Sequence, residues 1–206
     1  VTLALGLELK RVLESQLGCQ VILTRTTDKF VPLEARAAMA NASKADLFIS
    51  IHTNAHPDPR YFGTETYFLD FSKDQESARV AAFENATSTK KISDLEKILH
   101  DLLMNTKIKE SSQLAKMVQT YVIKKLRVGG QYEDVRDLGV KQAPFWVLLG
   151  AEMPCILVET AFITNPREES RLQDRGFRRF MAEGMASGIG AYIHQMKSVA
   201  RLGDRS

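Results

Sequence analysis

The chain is short of several things that would narrow its role. It has only two cysteines, Cys19 and Cys155, each inside an apolar run and without CxxC spacing. They read as small core residues and leave the redox compartment undecided. No stretch approaches the ~18 apolar residues of a membrane helix, and no basic-apolar-small signal opens the chain. Charge of one sign is also lacking, with 28 Lys and Arg against 25 Asp and Glu spread along the sequence. A net charge of +3 argues against a nucleic-acid partner while leaving an acidic polymer acceptable. Internal repeats and domain linkers are absent as well. What is present, 206 residues at 44% hydrophobic and 26% charged, suffices for one domain with a sizeable core. The chain begins with Val1 rather than Met, so it reads as a mature, trimmed or incomplete polypeptide.

Periodicity supplies the elements. Leu5, Leu9, Val12, Leu13 and Leu17 repeat at helical spacing until Gly18. Residues 21–24 read as a buried strand, followed by a polar loop at Arg25 to Asp28. Pro32 opens a second helix that runs through Asn41, and residues 47–51 form the next strand, with another at 63–69. From 71 to about 110 the chain turns polar and lysine-rich, with short helices expected at 77–85 and 94–104, and it reads as an insertion over the core. A plain surface helical hairpin is the competing reading. A long helix at 111–126 ends at Gly129 and Gly130, two buried strands follow at 146–149 and 155–158, and a last helix runs from 166 to about 196 before a frayed tail at 198–206. The expected fold is α/β, a mostly parallel or mixed sheet flanked by helices in a single domain with a helical insertion.

Chemistry concentrates at strand ends. His52 closes the 47–51 strand and Glu159 closes the 155–158 strand. In a parallel sheet both project from the same carboxyl edge, where ligands bind. A histidine and a carboxylate are the minimum of a zinc site that polarises a carbonyl and activates water. A lone histidine after a strand is also an ordinary hydrogen-bonded structural residue, so these two positions alone leave both readings open.

Longer motifs add to this: Thr24-Arg25 with Asp28; Leu33 and Arg36 followed by Ala40-Asn41; Ala45-Asp46; Ser50 to Ala55; Gly63-Thr64-Glu65; and Val158 to Asn165. In this order, over almost the whole chain, they resemble the zinc-dependent N-acetylmuramoyl-L-alanine amidases of bacterial cell walls, in the branch that trims septal peptidoglycan. The resemblance implies an amidase domain over residues 1–197, Zn2+ as cofactor, His52 as a zinc ligand and Glu159 as the catalytic glutamate. It implies metal-assisted hydrolysis of the amide joining muramic acid to L-alanine, in wall remodelling and daughter-cell separation. It further implies a periplasmic or extracellular location, a monomer, peptidoglycan as partner, and an envelope activator that displaces the insertion. Glu84 is the candidate autoinhibitory residue, with Glu76, Glu96 and Glu110 as rivals; His56, His100 and His194 are not expected to be ligands, and Glu65 is expected to face solvent or a neighbouring strand. One departure is marked: the first strand, its DPGHGG-like loop and a following glutamate, which supply two of the family's three zinc ligands, have no counterpart here. The expectation is weak zinc binding, little activity and a less stable fold. A non-catalytic peptidoglycan-binding module and another zinc peptidase acting on the stem peptide are the alternatives.

Overall fold

The computed structural model describes residues 1–86, 107–128 and 131–203, with side chains up to residue 198. In chain order the elements are α1 (Thr2–Leu17), α2 (Leu33–Ala42), β1 (Phe48–Asn54), β2 (Thr64–Leu69), α3 (Gln75–Glu84), α4 (Ile108–Arg127), β3 (Asp137–Ala143), β4 (Cys155–Phe162), α5 (Pro166–Gln173) and α6 (Arg175–Gly203). The strands form one mixed sheet in the order β1-β4-β2-β3. β1 runs parallel to β4 and β2 parallel to β3, while β2 and β4 are antiparallel. The chain is therefore a single α/β domain with helices on both faces of a mixed sheet.

All eight residues of β4 are buried. Its side chains alternate between two layers, with Ile156 and Val158 entering the cluster built by α1, α4 and α6, and Cys155 and Leu157 the cluster built by α3, Phe145 and Leu148. That is the pattern of a central strand covered on both faces. α4 and α6 meet almost backbone to backbone, because Gly184 and Gly188 leave no side chain between them. A Cβ at Gly188 would stand 2.6 Å from the Cα of Val118.

Where β4 ends, Asn165 caps α5 by accepting from the N–H groups of Arg167 and Glu168, and Pro166 occupies the first turn. The buried Glu168 turns back and accepts from the N–H groups of Phe162, at 2.7 Å, and Gly63, at 3.0 Å. This fastens the carboxyl end of β4 to the start of β2.

Four expectations are corrected. Residues 21–24 form no strand: they run as irregular chain beside α1, where the Lys10 ammonium donates to the Val21 carbonyl and Leu23 reaches Gly6, and no sheet partner lies beside them among the described residues. An apolar β-type run becomes a strand only where another edge meets it. Residues 146–149 form helical turns, Leu148 and Leu149 donating to the Phe145 carbonyl, because Pro144 precedes them and Gly150 follows at φ 80°. The strand that pattern overlooked is β3, a half-buried edge strand whose Lys141, Gln142 and Gly139 hide its β character. The last helix is two, broken at Asp174, whose carboxylate accepts from Gly176 N–H and the Tyr132 hydroxyl. α6 then continues to Gly203, through the region expected to fray. The helix expected at 94–104, the Gly129-Gly130 stop and residues 204–206 lie outside the described residues. No helix among the described residues is long and apolar enough to cross a membrane.

Candidate metal and catalytic site

The parallel pairing of β1 with β4 sets His52 directly opposite Glu159. Both lie near the carboxyl ends of their strands, and the Thr160 hydroxyl, donating to the His52 carbonyl at 2.9 Å, locks that register. A third group arrives from α3, whose last residue is Glu84. A Glu84 carboxylate oxygen contacts the His52 Nδ1, and ligand atoms of His52, Glu84 and Glu159 all lie within 4.8 Å of one another.

Glu159 is completely buried, and neither of its carboxylate oxygens has a hydrogen-bond partner among the described residues. Burial pushes its pKa well above the ordinary carboxylate range, and the neighbouring charges of Glu84 and Glu65 add to this against the opposing pull of Arg79. A buried carboxyl left without donors requires a reason, and a proton or a cation supplies one. The donor set of one imidazole and two carboxylates fits a divalent metal of the zinc type.

α3 is fixed at both ends, so Glu84 is presented rather than left to wander. At its start Asp74 accepts from the N–H of Ser77 at 2.8 Å and from its hydroxyl at 2.9 Å. At its end the Asn85 amide bridges the Pro144 carbonyl and the Trp146 N–H, each at 2.9 Å. In between, Arg79 donates to the Ala55 carbonyl beyond β1 while holding Glu76 at 2.6 Å. Glu76 is thereby committed to Arg79 and to the neighbourhood of His56, which sets it apart from Glu84. Glu110 pairs with Lys107 at the start of α4, and Glu96 lies outside the described residues.

The other described histidines, His56 and His194, stay outside the group. His56 accepts from the Asp58 N–H and stacks on Tyr61 at 3.6 Å, His194 sits in α6, and His100 is among the residues not described. Of the two expectations for Glu65, solvent or a neighbour, the structure shows the neighbour. Glu65 is 1% exposed, lies opposite Glu159 across the β2–β4 pair, and accepts from Asn54 at 2.7 Å and the Tyr67 hydroxyl at 2.9 Å. Lys141 from β3 neutralises it at 2.7 Å. The Gly63-Thr64-Glu65 motif was the available signal, but alternation alone cannot tell that a glutamate on a sheet covered on both faces is buried.

The family profile described as N-acetylmuramoyl-L-alanine amidase matches residues 1–191. The chain is 34% identical over 202 residues to N-acetylmuramoyl-L-alanine amidase AmiC of Neisseria meningitidis, covering 94% of this chain and 47% of that protein. It is 32% identical over 205 residues to amidase AmiA of Salmonella typhimurium, covering 94% of this chain and 68% of that one. It thus spans about half the length of the first relative and two thirds of the second. Among solved structures, N-acetylmuramoyl-L-alanine amidase AmiC2 of Nostoc punctiforme superposes with a TM-score of 0.66 at 28% identity, over 93% of this chain and 82% of that one. A sheet that sets a buried glutamate against a histidine of the neighbouring strand, and a match running from the first residue into the last helix, lead to one assignment: the chain belongs to the N-acetylmuramoyl-L-alanine amidase family.

Proposed function

We propose that the chain carries the catalytic face of a zinc-dependent amidase that hydrolyses the bond between muramic acid and L-alanine in peptidoglycan, in the cell envelope. The observation that supports this most is Glu159, a fully buried carboxyl with no hydrogen-bond donor among the described residues, held opposite His52 by strand register. His52 is the group that would hold the metal, and Glu84 would occupy the position that substrate has to take. When bound, zinc polarises the scissile carbonyl and lowers the pKa of water.

Glu159 supplies the proton traffic. Its raised pKa suits a carboxylate that takes a proton from the attacking water and returns it to the departing amine of L-alanine. The low-dielectric setting that raises the pKa also strengthens each electrostatic contact made during the reaction. Asn54, Tyr67 and Lys141 hold Glu65 in place beside it, so the one carboxyl without donors in this cluster is the one that works.

Glu84 gives the site its second property. Its contact with the His52 Nδ1 places a protein carboxylate where substrate has to approach, and it belongs to the 71–110 insertion. In this reading α3 is an autoinhibitory latch that an envelope activator lifts during daughter-cell separation. Glu84→Ala is expected to raise amide cleavage several-fold in the zinc-supplemented protein.

The decisive assay incubates the zinc-supplemented chain with purified peptidoglycan and weighs the soluble products. Intact stem peptides with a free L-alanine amine are expected, released slowly as weak zinc binding implies, and lost in Glu159→Gln. Fragments cut between amino acids of the stem would instead identify a peptidase, and binding without release would identify a wall-binding module.

A further inference from the structure

Glu159 lies bare beside groups that could serve it. A buried carboxyl without donors draws any free donor within reach, because each hydrogen bond or ion pair it gains offsets part of the cost of burial. Neither Glu159 oxygen has a partner among the described residues, yet the Asn54 amide, the Tyr67 hydroxyl and the Lys141 ammonium all gather next to it. All three are taken by one residue, Glu65.

Strand geometry explains the gathering. Glu65 and Glu159 stand directly opposite each other in the antiparallel β2–β4 pair, which sets their Cβ atoms roughly 4.5–5.5 Å apart on one face of the sheet. Tyr67, two residues along β2, shares that face and donates to Glu65 Oε1 at 2.9 Å. The buried Asn54 is aimed by its own backbone: its Oδ1 accepts from the Ala55 N–H at 2.8 Å, which turns the amide nitrogen to Glu65 Oε1 at 2.7 Å. Lys141 stands opposite Tyr67 on β3 and reaches Glu65 Oε2 at 2.7 Å, past Gly139, which lies opposite Glu65 and has no side chain in the way. The Tyr67 hydroxyl lies within electrostatic reach of both carboxyls. Burial raises its pKa first, then the charge and hydrogen bond of Glu65, then the charge of Glu159. Donors with two carboxyls in reach go to the one that is ionised and paired with a cation.

We propose that Glu65 is a positioning residue for the reaction: by capturing Asn54, Tyr67 and Lys141 it keeps Glu159 free of donors, so that a Glu159 lone pair is open to the proton of the attacking water. At 1% exposure Glu65 does its work without touching substrate. An ammonium or hydroxyl bonded to Glu159 would occupy the oxygen that has to receive the proton. The kinetic consequence rests on the reading of Glu159 as general base, whereas the capture rests on geometry alone.

Two variants separate these parts. Glu65→Gln keeps the shape and an acceptor for Asn54 and Tyr67 but releases Lys141, and Glu65→Leu releases all three donors. Crystal structures of the two metal-free variants are expected to show the Lys141 ammonium on a Glu159 oxygen in the first, joined by Tyr67 or Asn54 in the second. With the zinc-supplemented chain and a soluble N-acetylmuramoyl-peptide, Glu65→Gln is expected to lower kcat about tenfold and leave KM unchanged. Adding Lys141→Met to Glu65→Gln is expected to restore most of the lost kcat, a rescue that a residue merely bracing the fold would not show. A Glu159 still bare in both variants, a kcat equal to that of the parent, or a loss that Lys141→Met does not relieve would overturn the proposal. Should the parent itself cleave no amide, the amidase reading fails, and the two crystal structures alone decide whether Glu65 captures the donors.

Discussion

The two flanks of β4 are built from similar residues and finished differently. On the β2 side, α4 and α6 close over the sheet until Leu114, Val118 and Met185 have no exposure, with glycines letting the helix backbones touch. On the β1 side, equally apolar residues such as Ile49, Ile51 and Leu23 face a groove. The candidate site lies across the boundary, taking Glu159 from the central strand and His52 from the open-edged one. Rigidity and adaptability are thus divided across one strand: the closed flank fixes Glu159, and the open flank carries His52, its contact with Glu84 and an edge without a strand partner among the described residues.

This contrast can be broken in graded steps. Glu159→Gln should have the largest effect, lowering amide cleavage by about 10²–10⁴-fold. The same change should leave the metal-free fold as stable or more stable in thermal unfolding, since it removes a buried carboxyl that has no donor. Next comes the closed flank. Gly188→Ala forces a methyl against the Val118 backbone, which cannot swing aside as a side chain would, and should cost about 1–3 kcal/mol in denaturant unfolding.

The latch follows. Burial pushes the Asp74 pKa up, but the Ser77 N–H and hydroxyl more than offset it, and the net value lies below the ordinary range. A carboxylate with a lowered folded pKa contributes stability above its unfolded value and loses it as pH falls. Asp74→Ala should therefore cost about 1 kcal/mol at neutral pH. The gap between variant and parent should close as pH drops below about 4 in parallel melts. The smallest effect is expected on the open flank. At Gly6, in the middle of α1, an added Cβ meets only Leu23, at 3.9 Å. Gly6→Ala should stabilise by roughly 0.5–1 kcal/mol through helix propensity. A loss as large as that of Gly188→Ala would erase the distinction between the flanks.

Much of this was legible in the residues, and the failures have physical causes. β1 and β4 were readable because strands covered on both faces are continuous apolar runs, and the amphipathic stripes of α1, α4 and α6 gave those helices. β3 escaped because an edge strand needs little apolar sequence, and residues 146–149 misled because four apolar residues in helical turns look like a short strand. Residues 21–24 carry strand chemistry without the neighbour that would realise it. At the site, His52 and Glu159 lie inside their strands, which run on to Asn54 and Phe162 rather than closing at these residues, and their meeting follows from parallel pairing. That Glu84 reaches them depends on the Asp74 and Asn85 anchors of α3, which no spacing rule encodes. Burial of Glu65 depends on Lys141 crossing from the strand that was overlooked.

The central claim is that His52 anchors a metal beside Glu159, and thermal unfolding of the chain across a zinc titration tests it directly, with His52→Ala as the paired variant. A saturable rise in Tm for the parent and none for His52→Ala is predicted, because a ligand that binds only the folded state stabilises it by mass action. No rise in the parent, or an equal rise in both proteins, would contradict the account and leave the His52, Glu84 and Glu159 cluster as a structural contact without a metal.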